Sequence, residues 1–310
     1  MRLIGTRKNP KGPSLSRPES HRLDLSGTKV QFEAPRHNDA LVPDQSDLAI
    51  NLNIYDPKRF GQSEKSNSDE IPTRALAVKW WEYTGLPILD GTGYLGRIEF
   101  QVYLSHMPAF SSLFRPKSLE CAVERYIYMS PSSTQYPGTN RLDWRVIDIN
   151  GSRWVNYGMI GWTAMYNAEE VYTSFWQIPV TDEHLLTVEF VQVIALKRTN
   201  LKQAFQKVID AVMNSFTIEL SSDAAAQKAQ VEKDHPGEVL SESLPPYEFD
   251  HVELKNVYEL TNIVSQEFNH DPSIPFEKVD KVVQEKDKEQ REQAEAVRKR
   301  VLGSHLRFLE

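Results

Sequence analysis

Cysteine is nearly missing from this sequence: Cys121 is the one cysteine among 310 residues. That excludes an intramolecular disulfide and a cysteine-based metal cluster. Histidine does not fill the gap. His21, His37, His106, His184, His235, His251, His270 and His305 include no pair three or four residues apart, so no zinc-ligating helical face arises. No stretch approaches the roughly 20 apolar residues of a membrane span. The N-terminal MRLIGTRKNPKGPSLSRPES is basic but carries no apolar run of a secretory signal. The expectation is a soluble, cytoplasmic protein that does not contact a membrane. Excess positive charge is also lacking. The net charge of −7 fits poorly with a surface that tracks phosphates, so no nucleic-acid partner is expected.

The common catalytic motifs are absent as well: there is no G-x-S-x-G, no P-loop and no H-E-x-x-H. The stretch DGTGYLG does match G-x-G-x-x-G through Gly91, Gly93 and Gly96. A dinucleotide site would need a helix next, with its N-terminus on the pyrophosphate. Arg97 to Leu104 has strand periodicity instead, so the glycines are read as a loop leading into a strand. No cofactor and no metal is expected.

Alternation of apolar and polar residues is what the chain does have. TKVQFEAP, DLAINLNIYD, RALAVKWWEYTG, RIEFQVYL, LDWRVIDI and EVYTSFWQI all read as strands. LLTVEFVQVIAL is apolar at both parities, as a central strand covered on both faces would be. Two stretches carry the helical period. SLECAVERYIYM puts Leu119, Ala122, Val123, Tyr126 and Ile127 on one face, with Ser118 as N-cap and Cys121 as a packed residue. The second begins at Asn200, with Gln203 placed for a capping box and Leu201, Ala204, Phe205, Val208 and Val212 as its buried face. SFTIEL then returns to the sheet.

The domain reading is an arm over 1–22, an α+β sheet domain over 23–220, an acidic linker or surface segment over 221–250 and a helical extension over 251–310. Residues 221–250 hold seven acids against two lysines, with three prolines. The extension ends in a long charged helix with a sparse valine stripe, too thin for a sustained heptad seam. It is solvated or pairs with another chain, which leaves a homodimer open.

Asn150-Gly151 signals a type I′ hairpin, because both central residues need positive φ. The resulting register sets Arg145 opposite Asn156 and Ile147 opposite Trp154. One face collects Leu142, Trp144, Val146, Val155, Tyr157 and Met159 and reads as core. The other carries Asp143, Arg145, Ile147, Ile149, Trp154 and Asn156 and reads as a mixed surface. Trp154, ringed by Arg145 and Asn156, is therefore a candidate partner contact. Trp80 and Trp81 are adjacent, so on a strand they point to opposite faces. Burial of both is the favoured reading, and an exposed one would anchor a protein partner.

The order of these elements, from VQFEAP through VIDINGSRWVNY and LLTVEFVQV to NLKQAFQKVIDAVMNSFTIEL, resembles the Mog1/PsbP-like fold, including its DcrB-type bacterial domains, over residues 23–220. The resemblance implies an α+β protein in which an antiparallel β-sheet is flanked by helices. It also implies a non-catalytic binding module, since members of that fold include chaperones of type VI secretion effectors. In its acidity and lack of motifs, the whole chain resembles bacterial type VI secretion system immunity proteins. The expected partner is then a cognate toxin or effector protein, with a basic nuclease-type toxin suited to an acidic surface. The alternatives are an effector-loading chaperone, which needs an exposed apolar groove, and a hydrolase that combines a carboxylate with a histidine.

Overall fold

The computed structural model describes residues 5–39, 42–44, 46–60, 71–86, 93–108, 110–129, 140–160, 168–196, 199–244 and 247–248. The class is α+β, and the strands divide into two sheets. The smaller contains β1 (Glu19–Leu25), β2 (Thr28–Ala34), β3 (Ala49–Leu52) and β10 (Thr217–Glu219), in the order β10-β2-β1-β3. The larger contains β4 (Thr73–Thr84), β5 (Tyr94–His106), β6 (Asn140–Ile149), β7 (Ser152–Ile160), β8 (Glu170–Pro179), β9 (His184–Ile194) and β11 (Tyr247–Glu248). Their order is β11-β6-β7-β8-β9-β5-β4, which puts β9 in the interior as its two-sided apolar pattern requires. The helices are α1 (Pro116–Met129), α2 (Leu201–Met213) and α3 (Ser222–Asp234).

One face of the large sheet meets the small sheet and α2, and this is where the main core lies. Phe32 of β2 stacks on Phe216 at 4.6 Å and meets Phe100 of β5 edge-on at 5.8 Å. Phe100 in turn contacts Trp81 and Phe190, each at 5.2 Å. The buried side of α2 (Leu201, Phe205, Val208, Ile209, Val212 and Met213) closes the same layer. The opposite face packs against α1, where Tyr126 approaches Tyr103 and Phe175. SFTIEL therefore joins a second sheet beside β2 and does not return to the main one.

Local chemistry moves several boundaries. Strand β1 begins at Glu19, inside the segment read as an arm, and Ser26-Gly27 turns it into β2 with positive φ at both residues. Ahead of β1, Arg7, Lys8 and Lys11 are tied to the body by backbone hydrogen bonds. Lys11 and Thr84 exchange two backbone hydrogen bonds of 2.9 Å. Asn200 gives its side-chain amide to Lys8 O at 2.7 Å and makes no side-chain cap bond, so the expected capping box does not form. Helix α1 starts at Pro116, a residue suited to a first turn, which places Ser118 inside the helix and Cys121 on its exposed side. Within the segment read as an acidic linker, Ser222–Asp234 form α3, capped by Ser221 Oγ on the Ala224 N–H at 3.2 Å. The chain beyond α3 is tied down where Trp144 Nε1 donates to Ser241 O at 2.8 Å. The extension expected over 251–310 lies outside the described residues.

The outer edge of β4 is protected by side chains. Asn38 accepts from the Glu82 N–H and donates to the Glu82 carbonyl, Ser46 does the same at Val78, and His37 Nδ1 accepts from the Trp80 N–H. These bonds occupy backbone groups that would otherwise template pairing with another chain. On the core side of the same strand, Lys79 is 0% exposed and donates to Glu19 at 2.8 Å and Asp44 at 3.0 Å. A charge so buried needs both partners to offset its desolvation.

Candidate functional site

The Asn150-Gly151 turn has φ of 48° and 78°, and β6 and β7 pair in the register the turn dictates from Ile149–Ser152 to Arg145–Asn156. Beyond that point a bulge at Asp143, where φ is 53°, shifts the pairing so that Leu142 meets Gly158. Trp144 and Tyr157 still stack at 6.3 Å beneath the α1 side.

Pairing of β6, β7, β8 and β9 brings alternate residues of each strand onto the face toward α2. Between this face and the outer flank of α2 lies a cleft of about 290 Å³. Its polar wall is Arg145, Asn156, Tyr172 and Asp143. Ser174 and Trp176 line it from β8, and Glu170 and Lys202 lie at its α2 side. Gly158 makes this wall possible: the Tyr172 hydroxyl occupies the place a Cβ on Gly158 would take. Tyr172 can thus lie across β7 and reach Asp143 Oδ2 at 3.3 Å. Burial, with the Asp143 charge beside it, pushes the Tyr172 phenol up to about 12, so it stays a neutral donor.

Arg145 is held by a short relay. Asn156 donates from Nδ2 to the Phe175 carbonyl at 2.8 Å, which fixes its amide, and its Oδ1 then accepts from Arg145 Nε at 2.9 Å. Among the described residues, nothing else bonds to its terminal guanidinium nitrogens. The acids of the cleft are engaged elsewhere, Asp143 by Tyr172 and Glu170 by an ion pair with Lys202. Two donors, Ser174 Oγ and Trp176 Nε1, are buried without a hydrogen-bond partner among the described residues.

Of the residues singled out in the sequence, the structure brings Arg145 and Asn156 together in this cleft. Trp154 is 0% exposed, and this corrects its reading as an accessible contact. The face that looks mixed in the hairpin alone is the one that the small sheet and Phe216 cover. Trp81 is buried too, with Nε1 donating to Pro35 O at 3.2 Å. Trp80 lies half-buried on the sheet's other face, with the Arg97 guanidinium 4.4 Å over its ring, so one side of that indole is already taken. The contributions of β8 went unnoticed in sequence, although Glu170, Tyr172, Ser174 and Trp176 alternate as one polar-aromatic face of EVYTSFWQI.

Three other polar groups stand apart from the cleft. Under α1, Tyr126 donates to the Tyr103 oxygen at 2.7 Å and Tyr103 to Glu189 at 2.9 Å. Burial pushes the Glu189 carboxyl up to about 7, with the Glu99 charge adding and the Tyr103 bond opposing. At the far end of β5 and β9, His106 stacks on His184 at 4.9 Å and pairs with Glu183 at 3.2 Å. Burial, then the neighbouring His106, pushes His184 down to about 4. His235 and Glu238 approach to 4.0 Å in a second cleft of about 420 Å³ beside α3. Glu238 is already bound there by the Lys117 N–H and Arg115, and both lower its pKa. Among the described residues no cluster of histidines and acids could hold a metal ion, and no helix is long and apolar enough to cross a membrane.

The fold and cleft define an α+β, two-sheet protein with an arginine-centred polar recess. No family model matches the chain, and no curated protein matches it. Among solved structures, it is similar to the apo structure of immunity protein TplEi of the T6SS from Pseudomonas aeruginosa. The two are 9% identical, with 72% of this chain and 80% of that chain covered, at a TM-score of 0.25. A likeness at that level carries no argument about function.

Proposed function

We propose that this chain is a non-catalytic protein-binding protein. In this reading it is a bacterial, cytoplasmic immunity protein that binds a cognate type VI toxin effector and neutralises it. The observation that carries the reading is Arg145, fixed through Asn156 to the backbone of β8, with no partner for its outer nitrogens among the described residues. A rigid, pre-oriented arginine beside an aromatic wall is the kind of group that anchors a protein interface, because little side-chain entropy is left to lose on docking. The net charge of −7 supports a basic partner such as a nuclease, since complementary charge speeds encounter. Binding would occlude the toxin's active site or hold it in an inactive form. Co-expression with the product of the neighbouring open reading frame tests this: a stoichiometric complex with silenced toxin activity is expected, and the absence of any complex rejects it.

One observation favours a second reading, an effector-loading chaperone. The cleft beside α3 is lined by Ile218, Leu220, Val231 and Val239, the last 58% exposed. Such a groove suits an apolar client segment. Truncation of the bound partner separates the readings, because an antidote retains the toxic domain whereas a chaperone retains an apolar segment.

A further inference from the structure

We infer that His37 is a proton-operated catch at the outer edge of β4: the neutral ring seals the edge at Trp80, and protonation of the ring opens it there. The inference goes beyond the partner reading above and is independent of it. It rests on which atoms the ring meets.

Along the outer edge of β4, the N–H and C=O groups of Val78, Trp80 and Glu82 are each bonded by a residue of the segment beside it. Ser46 Oγ accepts from the Val78 N–H at 3.0 Å and donates to the Val78 carbonyl at 2.7 Å. Asn38 Oδ1 accepts from the Glu82 N–H at 2.8 Å, and Nδ2 donates to the Glu82 carbonyl at 3.2 Å. The Asn38 backbone N–H donates to the Trp80 carbonyl at 3.3 Å. The Trp80 N–H is left to His37 Nδ1 at 3.1 Å. A hydroxyl and an amide keep their hydrogens across the ordinary pH range. An imidazole does not, because histidine is the side chain whose charge ordinarily changes between about pH 5 and 8.

The partners of the ring fix its protonation state. Nδ1 faces an N–H, so it carries a lone pair. Nε2 faces two carbonyl oxygens, Val42 O at 2.6 Å and Asp39 O at 3.0 Å, so it carries the hydrogen. Only the neutral ring with its hydrogen on Nε2 satisfies both sides. A further proton can go only to Nδ1. It would set N–H against N–H at 3.1 Å, so the ring must move aside and the Trp80 N–H loses its acceptor. The charged groups on the elements that meet the ring are Arg36, Asp39 and Asp44 of its own segment, Lys79 and Glu82 of β4, Glu19 of β1 and Arg97 of β5. Lys79 bonds Glu19 and Asp44, and Trp81 Nε1 bonds Pro35 O. These bonds hold the segment independently of the ring, so the opening is local. It bares one backbone donor in the middle of the edge, the kind of group with which an added strand pairs.

The test follows the full chain by NMR from about pH 8 to about pH 5, with imidazole nitrogens and backbone amides labelled. At the upper end, the His37 ring is expected to be neutral with its hydrogen on Nε2. As the ring titrates, the protection of the Trp80 amide against hydrogen exchange, corrected for the intrinsic rate at each pH, should fall about tenfold, the equivalent of one hydrogen bond. The core amide of Phe100 should show no such fall. His37→Asn keeps an acceptor, Oδ1, in the place of Nδ1 and cannot take up a proton, so its Trp80 protection should not change with pH. A hydrogen on Nδ1 at the upper pH, a ring that stays neutral throughout, Trp80 protection that does not follow the ring, or the same fall in His37→Asn overturns the inference. The titration of the unsubstituted chain decides alone if the variant does not fold.

Discussion

Trp154 of β7 meets Phe216, the residue three positions past the end of α2, edge to face at 5.5 Å. This contact joins the β6–β7 hairpin to the segment that feeds β10, at the centre of the main core. Trp154→Ala should therefore unfold the protein more readily, by about 3–5 kcal/mol, as large aromatic truncations in cores do. Urea denaturation measures it. A loss below about 1 kcal/mol would mean that Trp154 is not packed as described.

Lys79 depends on two acids that come from different parts of the chain. The double replacement Glu19→Gln and Asp44→Asn leaves its ammonium buried and uncompensated, and should cost about 3–5 kcal/mol. Lys79→Met removes charge and desolvation together and should cost clearly less. Thermal melts of the two variants, compared at one pH, check the ordering.

Glu189 makes stability depend on pH with a definite sign. Its carboxyl is raised from 4.5 to about 7 in the folded chain. Between those values the folded state holds a proton that the unfolded state has released, so stability falls as pH rises through the window. Glu189→Gln cannot ionise, and should raise Tm relative to the parent at pH 8 while leaving it little changed at pH 4.5. An equal effect at both pH values would contradict the assignment.

His184 acts in the opposite direction. Lowered from 6.5 to about 4, it stays neutral in the fold while the unfolded chain takes up a proton, so its contribution is lost as pH falls through that range. NMR titration of the imidazole should find a midpoint near 4. A midpoint near 6.5 would mean that the ring is solvated.

Gly158→Ala should displace the Tyr172 ring, because the added methyl needs the space its hydroxyl fills. The expected cost is about 1–3 kcal/mol, typical of overpacking, together with weaker partner binding. A melt and a binding isotherm on the same sample check both.

Much of the fold was legible where the signal is local. The Asn150-Gly151 turn fixed its own register, the alternation of β5 and the two-sided apolar run of β9 placed those strands, and α2 showed its buried face. What escaped were layers. Nothing inside SRWVNYGMI says that β1, β2 and Phe216 will cover the side bearing Trp154, because that cover arrives from chain more than 50 residues away. Strand β1 itself was hidden by the prolines and basic residues before it, although His21, Leu23 and Leu25 alternate ahead of Ser26-Gly27. For the site, Arg145 and Asn156 followed from the turn. Ser174 and Trp176 did not, since which strand lies beside β7 is a matter of topology. The bulge at Asp143, which carries the wall of the cleft, has no sequence signal beyond a residue type that tolerates positive φ.

Neutralisation of a toxin by binding is read out in cell survival. Cells expressing the product of the neighbouring open reading frame are plated with and without this chain, at matched expression. The full chain is expected to restore colony formation by several orders of magnitude, and Arg145→Gln to restore less. Equal killing in the presence and absence of the folded chain would contradict it.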